Sequence, residues 1–174
     1  MLLEKIKSPA DVKALDVKSL EDLAAEMRVA LLKKLSKCGG HVAPNLGFVE
    51  GTIALHYVFD SPKDKIVYDV SHQSYSHKML TGRAQAFLDE SHYGDVTGYS
   101  EPCESEHDFF MVGHTSTSVS LALGLATARD VLRESGNVIA VSRTWSVCSN
   151  NRERSPGSRN RPWSWRRCGC KPRP

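Results

Sequence analysis

The sequence predicts an α/β fold in which a parallel sheet is flanked by helices. Three short apolar segments, at residues 65–70, 109–112 and 137–141, have the composition of buried strands. Segments with helical periodicity alternate with them, an order typical of parallel sheets covered on both faces. Because such sheets bind ligands beyond the carboxyl ends of their strands, the residues that follow these strands are the candidate site residues.

Length and composition exclude several classes of protein. The 174 residues suffice for one globular domain with a sizeable core. With 40% hydrophobic and 25% charged residues, the chain is neither collagen-like, low-complexity nor wholly disordered. No apolar run approaches the roughly 18 residues that a membrane span needs. The start of the chain has an early acid, Glu4, and no long apolar stretch, which argues against a signal peptide. We therefore expect a cytoplasmic protein.

The strongest predicted helix covers residues 20–37. Its apolar residues recur at spacings of three and four and form one stripe. Ser19 is the predicted N-cap, with Asp22 three positions later as in a capping box, and Gly39-Gly40 ends the helix. A shorter helix is expected before it, at residues 8–15.

The remaining elements follow from the same signals. Residues 48–59 are apolar on several sides and predict a helix buried against the sheet, and residues 119–132 predict a second helix rich in Ala and Leu. Residues 40–47 are predicted to be a loop, and residues 71–81 a loop with a short helix. The polar residues 89–107 predict a long loop, and loops of that length are often functional.

The composition of the chain changes sharply near Val141. Residues 142–174 contain nine Lys and Arg against the single acid Glu153, so the other fourteen bases and nineteen acids lie in residues 1–141. All three Trp lie in residues 142–174, and all seven His lie in residues 1–141. We interpret residues 1–141 as one domain and residues 142–174 as a separate, basic and disordered tail.

Three histidines lie where a ligand of such a sheet would bind. They are His41 after Gly39-Gly40, His72 after strand 65–70, and His114 in Gly113-His114-Thr115 after strand 109–112. The glycine, the hydroxyls and the helix N-terminus at residues 113–118 favour an anion or diphosphate site. Alternatively, the Ser/Thr run only caps a helix and each histidine is a hydrogen-bonded structural residue. Three histidines in successive loops favour a site, and no Cys-x-x-Cys or His-x-x-x-His spacing indicates a metal cage.

Ordered blocks of sequence are more specific than any of these single motifs. They are GGH at 39–41, PNLG at 44–47, TIALHYVFD at 52–60, PKDKI at 62–66, DVSHQSYSHKMLTGR at 69–83, ESE at 104–106 and GHTSTS at 113–118. Together they resemble the N-terminal region of the 1-deoxy-D-xylulose-5-phosphate synthases, from about residue 1 to Val141. Ser71 stands where that family more often has glycine, and Thr115 where it more often has serine. The chain thus resembles a divergent, synthase-like branch.

The resemblance implies a transketolase-like fold that uses thiamine diphosphate and Mg²⁺. The implied reaction condenses pyruvate with glyceraldehyde 3-phosphate, releases CO₂ and feeds isoprenoid and thiamine biosynthesis, in a homodimer of full-length chains. By motif, His72 and Gly113-His114-Thr115 would contact the cofactor. His41 would face the reacting carbon and the acceptor substrate as an acid–base or hydrogen-bonding group, a role that imidazoles suit near neutral pH.

The resemblance stops at residue 142. In the family, the strand corresponding to residues 137–141 ends in a Gly-Asp-Gly motif whose aspartate, with a later asparagine, holds the Mg²⁺. Here Val141 is followed by Ser142-Arg143-Thr144, and no Gly-Asp-Gly occurs later. Without Mg²⁺ the diphosphate loses its main electrostatic anchor. We therefore expect no Mg²⁺ ligands in this chain and no synthase activity from a truncated synthase-like chain alone.

Residues 142–174 leave further interpretations open. Arg and Trp interleave there as in single-strand binders, which would make the chain a basic-tailed nucleic-acid-binding module on an α/β scaffold. The interpretation favoured here is translation of an unrelated reading frame, because the segment lacks apolar periodicity and begins inside the family's most constrained motif. A third, an N-terminal subunit completed by a partner chain, is disfavoured because split versions also need the Gly-Asp-Gly aspartate.

Overall fold

The computed structural model describes residues 1–142, 147–150 and 166–167. Within them the α-helices are α1 (Pro9–Lys13), α2 (Val17–Cys38), α3 (Val42–Leu46), α4 (Val49–Val58), α5 (Tyr75–Lys78), α6 (Gln85–Leu88) and α7 (Ser118–Leu132). The strands are β1 (Lys65–Tyr68), β2 (Val138–Val141), β3 (Val147–Asn150) and β4 (Arg166–Arg167). The 3₁₀ turns are Leu3–Lys5 and Glu90–Asp95, and a π-helical turn spans Met79–Arg83. None of the helices in this part of the chain combines the length and the apolar character that crossing a membrane requires.

The sheet has the order β1-β2-β3-β4. β1 and β2 are parallel, with Lys65 opposite Val138 and Tyr68 opposite Val141. This confirms the α/β class and two of the predicted strands. β3 and β4 each pair antiparallel with the preceding strand, so the expectation of a wholly parallel sheet is wrong. Five residues separate β2 from β3, too few for the crossover that a parallel connection needs.

The predicted strand at residues 109–112 is not a strand. Phe110 packs its side chain against the cluster between β2 and α7, while Met111 is 71% exposed. The carbonyl of Val112 accepts a hydrogen bond from the Ser71 hydroxyl instead of joining a ladder. The apolar residues of this segment therefore reflect side-chain packing beside the sheet rather than strand pairing.

Helices α4 and α7 lie within one residue of their predicted bounds, but other predictions need correction. α2 begins at Val17, and its N-cap is Asp16, which accepts a hydrogen bond from the Ser19 amide, so Ser19 is not the cap. The predicted loop at residues 40–47 contains α3. The prediction that residues 142–174 are disordered is wrong for β3 and β4, which pair in the sheet. The rest of that segment lies mostly outside the described residues, and the domain boundary at Val141 stays a prediction.

The sheet is packed between two helices. On one face, side chains of β1 and β2 contact α4, through Ile66, Tyr68, Ile139, Val141 and Leu55. On the other face they contact α7, through Val67, Val138, Ala140, Ala122 and Ala126. This alternation is what the period of two along a strand requires.

A third apolar cluster lies under α2. Its stripe buries Leu23, Met27 and Leu31 completely, against Met79 and Phe87. Each such fully buried side chain contributes about 1.5–3 kcal/mol relative to an exposed one. The α2 stripe therefore fixes the long helix over the segment that follows β1, which is the segment that carries His72.

Candidate functional site

The site begins in a tight turn directly after β1. Val70 and Ser71 both have positive φ, of 61° and 66°, a conformation that side chains other than glycine disfavour. The Ser71 hydroxyl donates to the Val112 carbonyl at 2.8 Å and accepts from the Ser100 amide at 3.1 Å. Ser71 thus joins the turn to two other loops, which offsets the strain at a position suited to glycine.

Two of the predicted site histidines lie in contact beside this turn. The His41 and His72 rings meet edge to face with centroids 5.1 Å apart, and the Tyr99 ring lies 5.6 Å from His41 in the same manner. Both histidines are half-buried, and Tyr99 is exposed at the rim. The Tyr75 hydroxyl lies 3.5 Å from His41 Nδ1. We call His41, His72 and Tyr99 the ring cluster.

Asn45 holds the two histidine loops together, a role that the sequence did not reveal. Its side chain is fully buried, and its Nδ2 donates to the carbonyls of His41, at 2.7 Å, and His72, at 2.8 Å. Its Oδ1 accepts from the Tyr75 amide at 3.0 Å. The signal in the sequence was Asn45 itself, in the PNLG block at residues 44–47. A polar side chain among apolar neighbours needs hydrogen-bond partners when it is buried.

The third predicted element, Gly113-His114-Thr115, lies in a neighbouring exposed loop. His114 Nδ1 lies 2.9 Å from the Thr115 carbonyl, and open space surrounds the position that a Gly113 Cβ would take. Ser71, next to His72, bonds to the carbonyl of Val112, next to Gly113, and this links the loop to the ring cluster. Direct ring contacts, in contrast, join His41 and His72.

The helix N-terminus after this loop, which was predicted to favour an anion, already has a carboxylate of the protein as its partner. Asp69, buried at the end of β1, accepts from the amide of Thr117 at 3.0 Å and from that of Ser118 at 3.4 Å. A carboxylate at the N-terminus of a helix stabilises it electrostatically. An anion at this loop would therefore be held by the amides and side chains of residues 113–116 rather than by those at the start of α7.

A chain of buried titratable groups lies behind the site. His56 Nε2 and His77 Nδ1 are 2.9 Å apart, and His77 Nε2 lies 3.0 Å from Asp108 Oδ1. Since a carboxylate accepts, His77 carries its proton on Nε2 and accepts at Nδ1 from His56 Nε2–H. Burial lowers the pKa of His56 well below its ordinary value and, despite Asp108, also lowers that of His77.

Two cations complete this chain. Arg83 donates to both oxygens of Asp108, at 2.7 and 3.1 Å, and to Glu104 at 3.1 Å. Lys78 Nζ lies 2.6 Å from Glu104. Burial would raise the pKa of Asp108, but hydrogen bonds from His77 and Arg83 hold it well below its ordinary value. We call the six residues the buried ion network; they are His56, His77, Lys78, Arg83, Glu104 and Asp108.

The buried ion network also fixes the loop that carries Tyr99. Glu104 accepts from the Thr97 amide at 2.7 Å, and Asp108 accepts from the Glu101 amide at 3.0 Å. The sequence had assigned no role to these acids, although the ESE block at residues 104–106 was a signal. Both carboxylates already have hydrogen-bond and ion-pair partners within the protein. Within the described residues, no group of three His, Cys, Asp or Glu is arranged to hold a metal ion.

This arrangement defines a class: an α/β protein whose imidazoles cluster at the carboxyl end of a parallel strand, next to an open Gly-His-Thr loop. Residues 3–147 match the family model described as 1-deoxy-D-xylulose-5-phosphate synthase. The chain belongs to that family, as its sequence blocks predicted.

Relatives agree with the family assignment. The 1-deoxy-D-xylulose-5-phosphate synthase of Dictyoglomus turgidum is 53% identical over 141 residues, which are 81% of this chain and 23% of that protein. That of Caldanaerobacter subterraneus subsp. tengcongensis is 54% identical over 140 residues, 80% of this chain and 22% of that protein. That of Brevibacillus brevis is 53% identical over 141 residues, 81% and 22% respectively. The chain therefore spans less than a quarter of the length of these curated relatives.

Proposed function

We propose that this chain forms one side of the thiamine diphosphate site of a synthase-like, transketolase-like transferase. The observation that carries the proposal is the ring cluster, in which buried Asn45 holds the loops of His41 and His72 together beyond β1. The three hydrogen bonds of Asn45 satisfy its buried amide and hold the two imidazoles beside each other, where a ligand beyond β1 would meet both. The parent reaction would condense pyruvate with glyceraldehyde 3-phosphate, release CO₂ and feed isoprenoid precursor biosynthesis.

The residues present fit the organic part of that cofactor. His41 and His72 are half-buried with their rings in contact, and the backbone at Gly113 is open to close approach. His72, Gly113, His114 and Thr115 would hold the cofactor, and His41 would hold or move a proton at the reacting carbon. Bound thiamine diphosphate would supply carbanion stabilisation, while the protein orients the reactants.

The residues present do not supply the metal part. Arg143, two residues after Val141, stands where the family pattern places a metal-binding aspartate. We therefore propose that this chain alone does not turn over, and that pyruvate and glyceraldehyde 3-phosphate are substrates of a full-length, homodimeric and cytoplasmic protein of this type. Formation of deoxyxylulose phosphate by the purified chain would overturn this part of the proposal.

Calorimetry with thiamine diphosphate, with and without Mg²⁺, tests the cofactor assignment. The natural chain is expected to give little heat and no response to Mg²⁺. The triple change Ser142→Gly, Arg143→Asp and Thr144→Gly is expected to make binding Mg²⁺-dependent and about tenfold tighter, since it adds a charge-assisted anchor. The control has the same two glycines with Arg143→Ala and is expected to behave like the natural chain.

The role of His72 is tested in the triple variant. Adding His72→Ala is expected to weaken cofactor binding by about tenfold, because it removes a direct contact. His92→Ala, at an exposed position, is the matched control and is expected to leave binding unchanged. Equal binding by both variants would remove His72 from the site, and strong Mg²⁺-dependent binding by the natural chain would show that its metal site is intact.

A further inference from the structure

The interior contains two lysines, and only one of them has an acidic partner among the described residues. Lys78 is fully buried, with Glu104 at 2.6 Å. Lys34, on α2, is 7% exposed, and its Nζ donates to the Ala86 carbonyl at 2.8 Å. No carboxylate of the described residues lies within ion-pair distance of Lys34. Because buried charges are normally paired, Lys34 is a buried ammonium whose counter-ion is missing from this part of the protein.

Aromatic rings partly compensate the charge of Lys34. Its Nζ lies 4.3 Å from the centroid of the Phe87 ring and 5.5 Å from that of Tyr93. Cation–π contacts stabilise an ammonium but do not neutralise it. Consistent with this, burial lowers the pKa of Lys34 from its ordinary value. The site therefore holds a positive charge that an anion would stabilise further.

Lys34 lines a cavity of about 250 Å³ between the end of α2 and residues 93–98. Phe87 and Val96 give the cavity apolar walls, and Tyr93 lies beside Lys34. The Tyr93 hydroxyl oxygen is buried and has no hydrogen-bond partner among the described residues. Buried hydroxyls normally have a partner, so this donor is unsatisfied among these residues, and a ligand would reach it after movement of the Tyr93 side chain.

We propose that this cavity binds a small organic monocarboxylate, whose oxygens accept from Lys34 Nζ and from the Tyr93 hydroxyl. One ammonium matches one negative charge, and the apolar walls match a short hydrocarbon or aromatic body. A compact dianion such as inorganic phosphate matches neither feature. The inference is argued from Lys34 rather than from the ring cluster, which the cavity adjoins, because Tyr75 lines the cavity and its hydroxyl lies 3.5 Å from His41.

Benzoate is the probe, with benzamide as its uncharged analogue and inorganic phosphate as the dianion. Binding to the full 174-residue chain is measured by calorimetry and by ligand-observed NMR. Saturable binding of benzoate is expected, with benzamide about tenfold weaker because it lacks the charge. Absence of saturable benzoate binding, equal binding of benzamide, or preferential binding of phosphate would each overturn the proposal.

Two variants locate the binding to this cavity. Lys34→Met keeps the apolar stem and removes the charge, and benzoate affinity is expected to fall about tenfold or more. Lys33→Met changes the net charge equally at an exposed neighbouring position and is expected to bind as the natural chain does. Equal affinities of the two variants would overturn the proposal.

Tyr93→Phe provides a second, milder measurement that does not depend on removing the charge. It keeps the ring over Lys34 and deletes the hydroxyl, so benzoate affinity is expected to fall about threefold. The fold of each variant is checked by circular dichroism. If Lys34→Met fails to fold, the Tyr93→Phe result decides, and unchanged affinity in that variant would remove Tyr93 from the site.

Discussion

The buried ion network and the loop at residues 113–116 are held in opposite ways, although Ser71 bonds to a chain neighbour of each region, Ser100 beside Glu101 and Val112 beside Gly113. Asp108 in the network has a fully buried side chain. It accepts hydrogen bonds from His77, from both terminal nitrogens of the Arg83 guanidinium and from the Glu101 amide. The loop is exposed at every position, and its internal contacts are local ones such as that from His114 to Thr115. The groups that position the loops are therefore distinct from those expected to meet a ligand, so stability and binding should respond to different substitutions.

The largest effect is expected from Asp108→Ala. The change leaves the Arg83 guanidinium and His77 without their shared carboxylate, and breaking a buried pair in this way costs about 3–5 kcal/mol. The free energy of unfolding is measured by urea denaturation. Asp95→Ala removes a carboxylate from an exposed pair with His92 and is expected to change the free energy of unfolding far less. Similar losses of unfolding free energy from the two substitutions would mean that the buried ion network stabilises the fold no more than an exposed ion pair does.

Acidification is expected to affect the interior next. His56 and His77 have lowered pKa values in the folded protein, so below their ordinary value of 6.5 the unfolded chain takes up protons that the folded protein does not. Their stabilising contribution is therefore present above about pH 6.5 and is lost as the pH falls, by about 1.4 kcal/mol per pH unit for each such group. Asp108 acts in the same direction, starting below its ordinary pKa of 3.8.

Urea denaturation at several pH values between 7.5 and 5 checks this linkage. Burial also lowers the pKa of His107, which acts in the same direction. His56→Gln removes one of these titrating histidines and is expected to make the dependence less steep. The exposed His92 has a pKa raised by its hydrogen bond with Asp95, so its contribution has the opposite sign and is lost as the pH rises. A stability that does not change between pH 7 and 5.5 would show that the two buried histidines are not held neutral.

Substitutions of Ser71, which connects the two regions, are expected to lower the free energy of unfolding by an intermediate amount. Ser71→Ala removes both hydrogen bonds of the hydroxyl while keeping a side chain at positive φ, and is expected to cost about 1–3 kcal/mol. Ser71→Gly removes the same hydrogen bonds but recovers about 1 kcal/mol of backbone strain. Unfolding measurements should therefore rank the natural chain above Ser71→Gly and Ser71→Gly above Ser71→Ala. The reverse order of the two variants would show that the turn is not strained.

The sequence predicted the elements that depend on local pattern. The stripe of Leu23, Met27 and Leu31 was enough to place α2, and the β-branched runs placed β1 and β2. The apolar run at residues 109–112 misled, because a short apolar run does not distinguish a strand from a loop packed beside one. The antiparallel strand β3 follows from pairing with β2, which no period in its own sequence encodes.

At the site, sequence reasoning found the histidines but not the residues that hold them. His41 and His72 were predicted to lie near one another because both follow breaks at the expected edge of the sheet, and the structure brings their rings into contact. The bonds that fix them join residues far apart along the chain, as Asn45 does with His72, 27 positions away. Asp69 and Thr117, 48 positions apart, are another such pair. Such pairs have no local signature, so a single sequence does not reveal them.

The smallest effect on stability is expected in the exposed loop itself. Thr115 is exposed. Its backbone carbonyl, and not its side chain, makes the hydrogen bond with His114 that orders the loop. Thr115→Ala is therefore expected to change the free energy of unfolding by less than about 0.5 kcal/mol. In the variant that carries the Gly-Asp-Gly change, the same substitution is expected to weaken thiamine diphosphate binding about threefold, because a hydroxyl that we propose contacts the ligand is lost. Thr127→Ala, on the exposed face of α7, is the matched control and should change neither quantity by a comparable amount. A loss of stability from Thr115→Ala that matched the loss from Ser71→Ala would mean that the loop is part of the scaffold, and the separation between positioning and binding residues would not hold.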